Sequence, residues 1–207
     1  LHKGEILGVC GLSDAGIHEL GTALFGLEDN RAGKLTYVPK NMVLNSSSDV
    51  VKTNGAYLSK DRDTYGLMLD TSIYNNISVP NADRLSGTLG FLNPKNLWKL
   101  TKQAAHDFDI KAANLKQNTR RLSGGNKQKV NLSRWLVKDL DYIILDCPTR
   151  GVDVGVKAYI YEILSELKTK GIGIILITDE LPEAMGMADR IMVLKDQKNV
   201  AILDRET

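Results

Sequence analysis

The stretch LSGGNKQKVNLSRWLVKDLDYIILD, residues 122–146, contains a glycine-rich turn, a helix and a strand in close succession. Ser123, Gly124 and Gly125 form the turn, and apolar residues recur along the helix that follows. Residues 142–146 are apolar up to the terminal aspartate. A short apolar run after a helix predicts a strand that is buried on both faces, which is typical of the parallel sheets of α/β proteins.

The same alternation continues on both sides of this stretch. Apolar runs at residues 172–177 and 190–194 predict two further strands, and a helix from about residue 156 to residue 170 precedes the first of them. Near the N-terminus, residues 4–10 predict a strand, and a helix follows from about residue 18 to residue 25. We therefore predict an α/β domain with a mostly parallel sheet and flanking helices.

Ligands of such sheets bind beyond the carboxyl ends of the strands, so the chemistry is expected in the turns after Cys10, Asp146 and Thr178. Residues from about 61 to 119 are more polar and helical. We interpret them as a helical subdomain inserted between the strands of a single domain that covers residues 1–207.

Composition narrows the class of protein. The formal charge of +2 lacks the basic footprint of a nucleic-acid binder. Cys10 and Cys147 lie in apolar runs, which speaks against a disulfide and fits a reducing compartment. No signal peptide and no apolar stretch of the ~18 residues that span a membrane is found. Because Leu1 is not a start methionine, we expect the chain to be part of a longer one.

The turn at Ser123, Gly124 and Gly125 carries the most specific chemistry. Two glycines let backbone N–H groups approach a phosphate, the helix adds the positive end of its dipole, and the serine adds a hydroxyl donor. Taken alone, the triplet could equally be a loop with a helix cap. The next motifs in the chain decide between these interpretations.

Residues 143–149, IILDCPT, and then Gly151-Val152-Asp153 follow the turn. In this order the motifs resemble the signature, Walker B strand and D-loop of ABC transporter ATPases. The resemblance implies a P-loop NTPase-type fold, ATP and Mg²⁺ as cofactors, and Asp146 as a weak Mg²⁺ ligand rather than a helix-capping acid. Residues 148–155 and 180–183 are similar to the second ATPase half of ribose/galactose-type importers and related nucleoside importers. The first strands of that domain are then expected before Leu1.

The phosphate loop departs from the family pattern. The pattern G-x-x-x-x-G-K-[ST] aligns with Gly11 and Gly16, but Ile17 stands at the lysine and His18 at the hydroxyl. Asp14 replaces an inner glycine. Loss of the lysine forfeits about 1.5–3 kcal/mol, and a carboxylate ~4 Å from phosphate adds roughly 4 kcal/mol of repulsion before screening. We interpret the loop as a link that binds ATP weakly at most.

Three further positions also differ from the pattern of the ABC ATPase family. Cys147 stands where the family has its catalytic glutamate, Lys60 at the Q-loop position, and Asp179 at the switch histidine. A neutral thiol is a poor base for activating water. These changes predict no confident catalytic residue and little or no ATPase activity for the chain alone.

The signature is intact, and in ABC dimers it completes the ATP site of the opposite domain. The resemblance therefore implies that one set of residues contacts an ATP bound by a partner: Ser123, Gly124, Gly125 and Asn126. The implied partner is an N-terminal ATPase half or a second nucleotide-binding domain. Permease subunits and, indirectly, a substrate-binding protein are implied too, at the cytoplasmic face of the cell membrane. No nucleic-acid partner is expected.

Two other functions stay open at this level. One is a regulatory pseudo-ATPase that binds no nucleotide from either side. The other is a conventional active ABC ATPase that tolerates the replacements, although the loss of the lysine, glutamate and histidine positions together speaks against it.

Overall fold

A computed structural model of the protein describes residues 1–12, 14–28, 33–86 and 91–205. The chain forms two compact units. We call Leu1–Lys60, Leu140–Arg150 and Lys157–Thr207 the sheet unit, and Asp61–Asp139 with Gly151–Val156 the helical unit.

All strands of the described residues belong to the sheet unit. They are β1 (Ile6–Cys10), β2 (Thr36–Tyr37), β3 (Met42–Val43), β4 (Gly55–Leu58), β5 (Tyr142–Asp146), β6 (Gly173–Thr178), β7 (Arg190–Lys195) and β8 (Lys198–Asp204). The helices are α1 (Ile17–Phe25), α2 (Ser47–Lys52), α3 (Ile73–Ser78), α4 (Ala82–Leu85), α5 (Pro94–Asp107), α6 (Gly124–Leu136), α7 (Val154–Thr169) and α8 (Leu181–Met187).

The main sheet has six strands in the order β4-β5-β6-β1-β7-β8, and only β8 runs antiparallel to its neighbour. The prediction of a mostly parallel sheet is confirmed, because the apolar runs at β1, β5, β6 and β7 form its centre. In the register, Asp146 lies opposite Ile177 and Cys10 lies opposite Thr178. The turns after these strands therefore leave the sheet at the same end.

One apolar cluster fills the space between this sheet and α1. Ile17 at the start of the helix has no exposed surface, and the ring of Phe25 at its end stacks on Tyr57 at 5.2 Å. The buried members of the cluster are Val9, Ala15, Ile17, Phe25, Leu44, Val50, Tyr57, Ile144, Ile177 and Leu194. The position of α1 against the strand ends is therefore fixed by hydrophobic burial.

The helical unit has its own core, formed by Leu67, Ile73, Ile77, Ala104, Leu122 and Val130. The polar segment predicted as a subdomain over about residues 61–119 lies in this unit, which also includes residues 120–139 and 151–156. Buried Asn76 donates to the hydroxyl of Thr119 at 3.0 Å and so ties α3 to the turn before α6. None of the described helices is long and apolar enough to cross a bilayer.

Candidate functional site

The loop between β1 and α1, which aligns with the phosphate loop, is a tight turn that backbone bonds close. The N–H of Ala15 donates to Leu12 at 2.8 Å, and the N–H of Gln197 donates to Ala15 at 3.1 Å. Gly11 leaves no room for a side chain, because a Cβ there would lie 2.7 Å from the carbonyl oxygen of Leu194. Gly16 has a φ of +86°, which only glycine adopts readily.

The side chains of this loop do not form a cationic cradle. Ile17, at the lysine position, packs into the core of the sheet unit. Asp14 is exposed. Ser13 of the aligned stretch lies outside the described residues. Among the described residues of the loop, the groups that could meet a phosphate are thus backbone amides and one carboxylate.

His18 fills the position beside the Walker B aspartate. Its Nδ1 lies 2.7 Å from Oδ1 of Asp146, so the imidazole donates to a carboxylate that is 2% exposed. The Tyr57 hydroxyl donates to the other oxygen at 3.3 Å. Burial raises the pKa of Asp146, while the charge and hydrogen bond of His18 oppose this rise. The carboxylate of Asp146 therefore has a hydrogen-bond partner at each oxygen, His18 at one and Tyr57 at the other.

Sequence reasoning missed both partners of this aspartate. The phosphate-loop pattern shows only that His18 stands where the family has a hydroxyl. Tyr57 lies in a short strand that the apolar pattern does not predict. Two signals existed: a titratable ring at the first turn of the helix that follows β1, and an aromatic residue next to a buried acid. Neither specifies a contact across 128 residues of sequence.

Cys147 follows Asp146 with a left-handed backbone, at a φ of +46°. Its thiol lies 3.8 Å from Oδ1 of Asp179, so Cys147 and Asp179 are in contact. Burial raises the pKa of this thiol to about 12, the charges of Asp146 and Asp179 add to the rise, and Lys60 opposes it. Near neutral pH the thiol keeps its proton and cannot accept one from water.

The described donors do not match Mg²⁺. Mg²⁺ takes six oxygen ligands in near-ideal octahedral geometry. Around Asp146, one carboxylate oxygen accepts from His18 and the other from Tyr57, and the remaining nearby donors are an imidazole and a thiol. No step of a reaction is therefore assigned to a magnesium ion at this end of the sheet.

Cys10 and Cys147 are both free and buried, as predicted. Burial raises the pKa of Cys10 from 9.0 to about 11, and the charge of Glu183 adds to the effect. The folded chain thus keeps a proton that the unfolded chain loses, so this contribution to stability is complete below pH 9 and is lost between pH 9 and about 11.

We expect the unfolding free energy of the unmodified chain to fall by roughly 2 kcal/mol more than that of Cys10→Ala across this interval. Urea unfolding at a series of pH values measures both slopes. Because the other titrating groups are common to both proteins, their effects cancel in the comparison. Identical slopes would show that Cys10 titrates normally in the folded chain.

The signature residues sit at the start of α6 in the helical unit. Ser123 is the N-cap, and its hydroxyl accepts from the backbone N–H and the side-chain amide of Asn126, at 3.4 and 2.9 Å. The Asn126 oxygen in turn accepts from the backbone of Lys111 at 2.6 Å. Ser123 remains exposed, so its hydroxyl can still meet a ligand from outside.

The two glycines of the turn are required by space. A Cβ on Gly125 would lie 2.8 Å from Val156, and one on Gly124 would lie 3.1 Å from the guanidinium of Arg62. The start of α6 therefore has two closely packed glycines after the exposed serine, together with the positive end of the helix dipole. This arrangement suits an anion such as a phosphate.

Import ATP-binding proteins resemble this chain in sequence. The ribose import ATP-binding protein RbsA 3 of Rhizobium etli is 40% identical over 206 residues, which are 100% of this chain and 40% of that protein. The xylose import ATP-binding protein XylG of Thermoanaerobacter pseudethanolicus is 40% identical over 197 residues, which are 95% of this chain and 39% of that protein. The chain thus spans about two fifths of the length of these relatives.

Solved structures share the fold. A dimeric ATP-binding cassette in a post-hydrolysis state, bound to ADP and Pi, has a TM-score of 0.84 at 19% identity, over 98% of this chain and 86% of that one. A nucleotide-free ATP-binding cassette from an ABC transporter has a TM-score of 0.81 at 18% identity, over 99% and 82%. At such identities the likeness establishes the ABC ATPase fold, an α/β architecture with flanking helices.

A family model supplies the remaining evidence. It is described as ABC transporter and matches residues 1–150, from β1 through the end of the Walker B region. The match includes the signature turn and the strand that ends in Asp146, and it extends over well more than half of the sequence. The chain therefore belongs to the ABC transporter family.

Proposed function

We propose that the chain is a nucleotide-binding component of an importer that couples ATP binding and hydrolysis to uptake of a sugar. The names of the relatives that it resembles, which concern ribose and xylose import, support the substrate class. Family membership implies ATP and Mg²⁺ as cofactors. Within such an importer the chain would lie at the cytoplasmic face of the membrane, against the permease subunits. A substrate-binding protein would deliver the sugar to those subunits.

Our proposal assigns the chain an asymmetric role in ATP use. Ser123, Gly124, Gly125 and Asn126 contact ATP that a partner nucleotide-binding domain holds in its own phosphate loop. The observation that carries this role is the start of α6, where an exposed serine caps the helix and two space-limited glycines follow it. The partner supplies the lysine, the Mg²⁺ and the catalytic base.

The chain's own site contributes little to turnover in this proposal. Three facts support this view: Ile17 is buried in the core, His18 is bonded to Asp146, and Cys147 keeps its proton. An incoming triphosphate would lack an ammonium partner and would meet the carboxylate of Asp14. The remaining donors are the backbone amides of the loop, and these alone give weak binding.

The test of the signature uses the assembled transporter in proteoliposomes and the variant Ser123→Asp. Aspartate is as good an N-cap as serine, so α6 keeps its start, but the added charge faces the partner's phosphate. Repulsion of roughly 4 kcal/mol before screening predicts a fall in ATP turnover of at least ~10-fold. The matched control is Asn93→Asp, which adds the same charge at the exposed N-cap of α5 and is expected to leave turnover unchanged.

Calorimetric titration of the chain alone with Mg-ATP tests its own site. We expect a Kd weaker than about 1 mM, since the cationic contact is missing. Micromolar affinity would revive the conventional active ATPase. Full turnover in Ser123→Asp would instead favour the regulatory pseudo-ATPase, because the signature would then contact no ATP.

A further inference from the structure

Three side chains with metal-binding atoms meet at the carboxyl end of β5. His18, Asp146 and Cys147 each offer one ligand atom, and these atoms lie within 4.8 Å of one another. Asp146 and Cys147 are buried, and the His18 side chain is 15% exposed. A nitrogen, an oxygen and a sulfur donor thus lie close together in a part of the sheet unit that is largely shielded from water.

One of these groups, the imidazole of His18, has hydrogen-bonding capacity that no described residue uses. Nε2 of His18 is buried and has no partner among the described residues. The Cys147 thiol makes a long contact to Oδ1 of Asp179, at 3.8 Å. A buried polar atom without a partner is costly, and a bound cation would give this nitrogen a partner.

The geometry points to a site for one zinc-class divalent cation, held by His18, Asp146 and Cys147. Imidazole and thiolate ligands select zinc and related transition metals, whereas Mg²⁺ requires oxygen ligands. Asp179 lies beside the thiol and is exposed, so its carboxylate or a water can take the fourth position. The replacements that remove the magnesium ligands thus create a different donor set.

Distances and neighbours fit this assignment. Zinc–ligand bonds of about 2.0–2.3 Å place tetrahedral ligands ~3.5 Å apart. The ligand atoms of the cluster lie within 4.8 Å of one another, and Nδ1 of His18 lies 2.7 Å from Oδ1 of Asp146. Side-chain shifts of about 1 Å therefore bring these atoms to the separation that zinc requires. The Tyr57 hydroxyl donates to the carboxylate oxygen that faces away from His18, and this second contact orients the aspartate. On binding, the Cys147 thiol loses its proton to the buffer.

Such a metal would join the start of α1 to the end of β5. It would therefore hold the phosphate loop in the conformation seen here and take the place of the nucleotide-bound metal of the family. This site is separate from the signature of the helical unit, and it would exist whether or not Ser123 contacts a partner's ATP.

The test titrates the full chain, after removal of bound metals with EDTA, with Co²⁺ followed by absorption and with Zn²⁺ followed by calorimetry. We expect one equivalent to bind, with the charge-transfer absorption of a cobalt–thiolate bond, and no displacement by ~100-fold excess Mg²⁺. Absence of the charge-transfer band in the unmodified chain would overturn the proposal without any variant being needed.

Variants assign the ligands. Cys147→Ser and His18→Gln are expected to weaken Zn²⁺ binding at least ~10-fold, as the loss of one ligand requires. Matched controls are Cys10→Ser, the other buried thiol, and His106→Gln, an exposed imidazole. Should Cys147→Ser fail to fold, the cobalt–thiolate band of Cys10→Ser assigns the ligand, because Cys147 is then the remaining thiol of the chain. Unchanged affinity in Cys147→Ser, or loss of the band in Cys10→Ser, contradicts the site.

Discussion

Replacing His18 by alanine is expected to lower the free energy of unfolding by about 3 kcal/mol, because the buried carboxylate of Asp146 loses its nearest donor. The Tyr57 hydroxyl, at 3.3 Å, is too weak a substitute for that contact. This loss of unfolding free energy is at the lower end of the range for breaking a buried ion pair, because the His18 side chain is 15% exposed. Urea unfolding near neutral pH, without added metal, measures the effect.

A conservative variant separates the hydrogen bond from packing. His18→Gln keeps a side-chain donor of similar reach, so it is expected to cost about 1 kcal/mol. A double-mutant cycle of His18→Ala with Asp146→Asn then isolates the coupling, for which we expect at least ~1 kcal/mol. If His18→Ala is as stable as the unmodified chain, the pair does not hold α1 to β5.

Ile17→Lys, which restores the family lysine, is expected to destabilise the chain by roughly 3 kcal/mol relative to Ile17→Met. Both variants are unbranched at Cβ, but only lysine brings an ammonium into a position with no exposed surface. Because burial lowers the pKa of an amine, the deficit should shrink as pH rises toward the ordinary lysine value of ~10.4. Thermal and urea unfolding of the two variants provide the comparison.

The same variant is expected to leave Mg-ATP binding weaker than about 1 mM, since Asp14 and the bonded His18 remain. Calorimetry checks this outcome beside the Met variant. If Ile17→Lys matches Ile17→Met in stability and gains micromolar affinity, the position reaches the loop surface and the site is one substitution from function.

The apolar runs predicted the centre of the sheet correctly because β1, β5 and β6 are buried on both faces. Two strands of the main sheet were not predicted. β4 is short and begins with a glycine, and β8 is an exposed edge strand with polar residues at both ends. Their positions depend on pairing with β5 and β7, which no local pattern encodes.

The candidate site, like the sheet, could be predicted from the sequence only in part. The motif alignment assigns Ile17, Cys147 and Asp179 to the turns after β1, β5 and β6, and these turns are predicted to lie at the same end of the sheet. It could not show that the isoleucine joins the core, or that His18 turns toward Asp146. Those outcomes depend on side-chain packing and on hydrogen bonds between distant segments, for which a motif supplies only the residue types.

The His18–Asp146 pair and the buried Ile17 also bear on how this loop can evolve. A return to a nucleotide-binding loop needs a lysine at 17, a hydroxyl at 18 and the loss of the carboxylate at 14. The first change puts an ammonium into the core and the second leaves an acid without its donor. The changes at 17 and 18 thus each pass through a less stable protein, and this loss of stability opposes reversion of the loop.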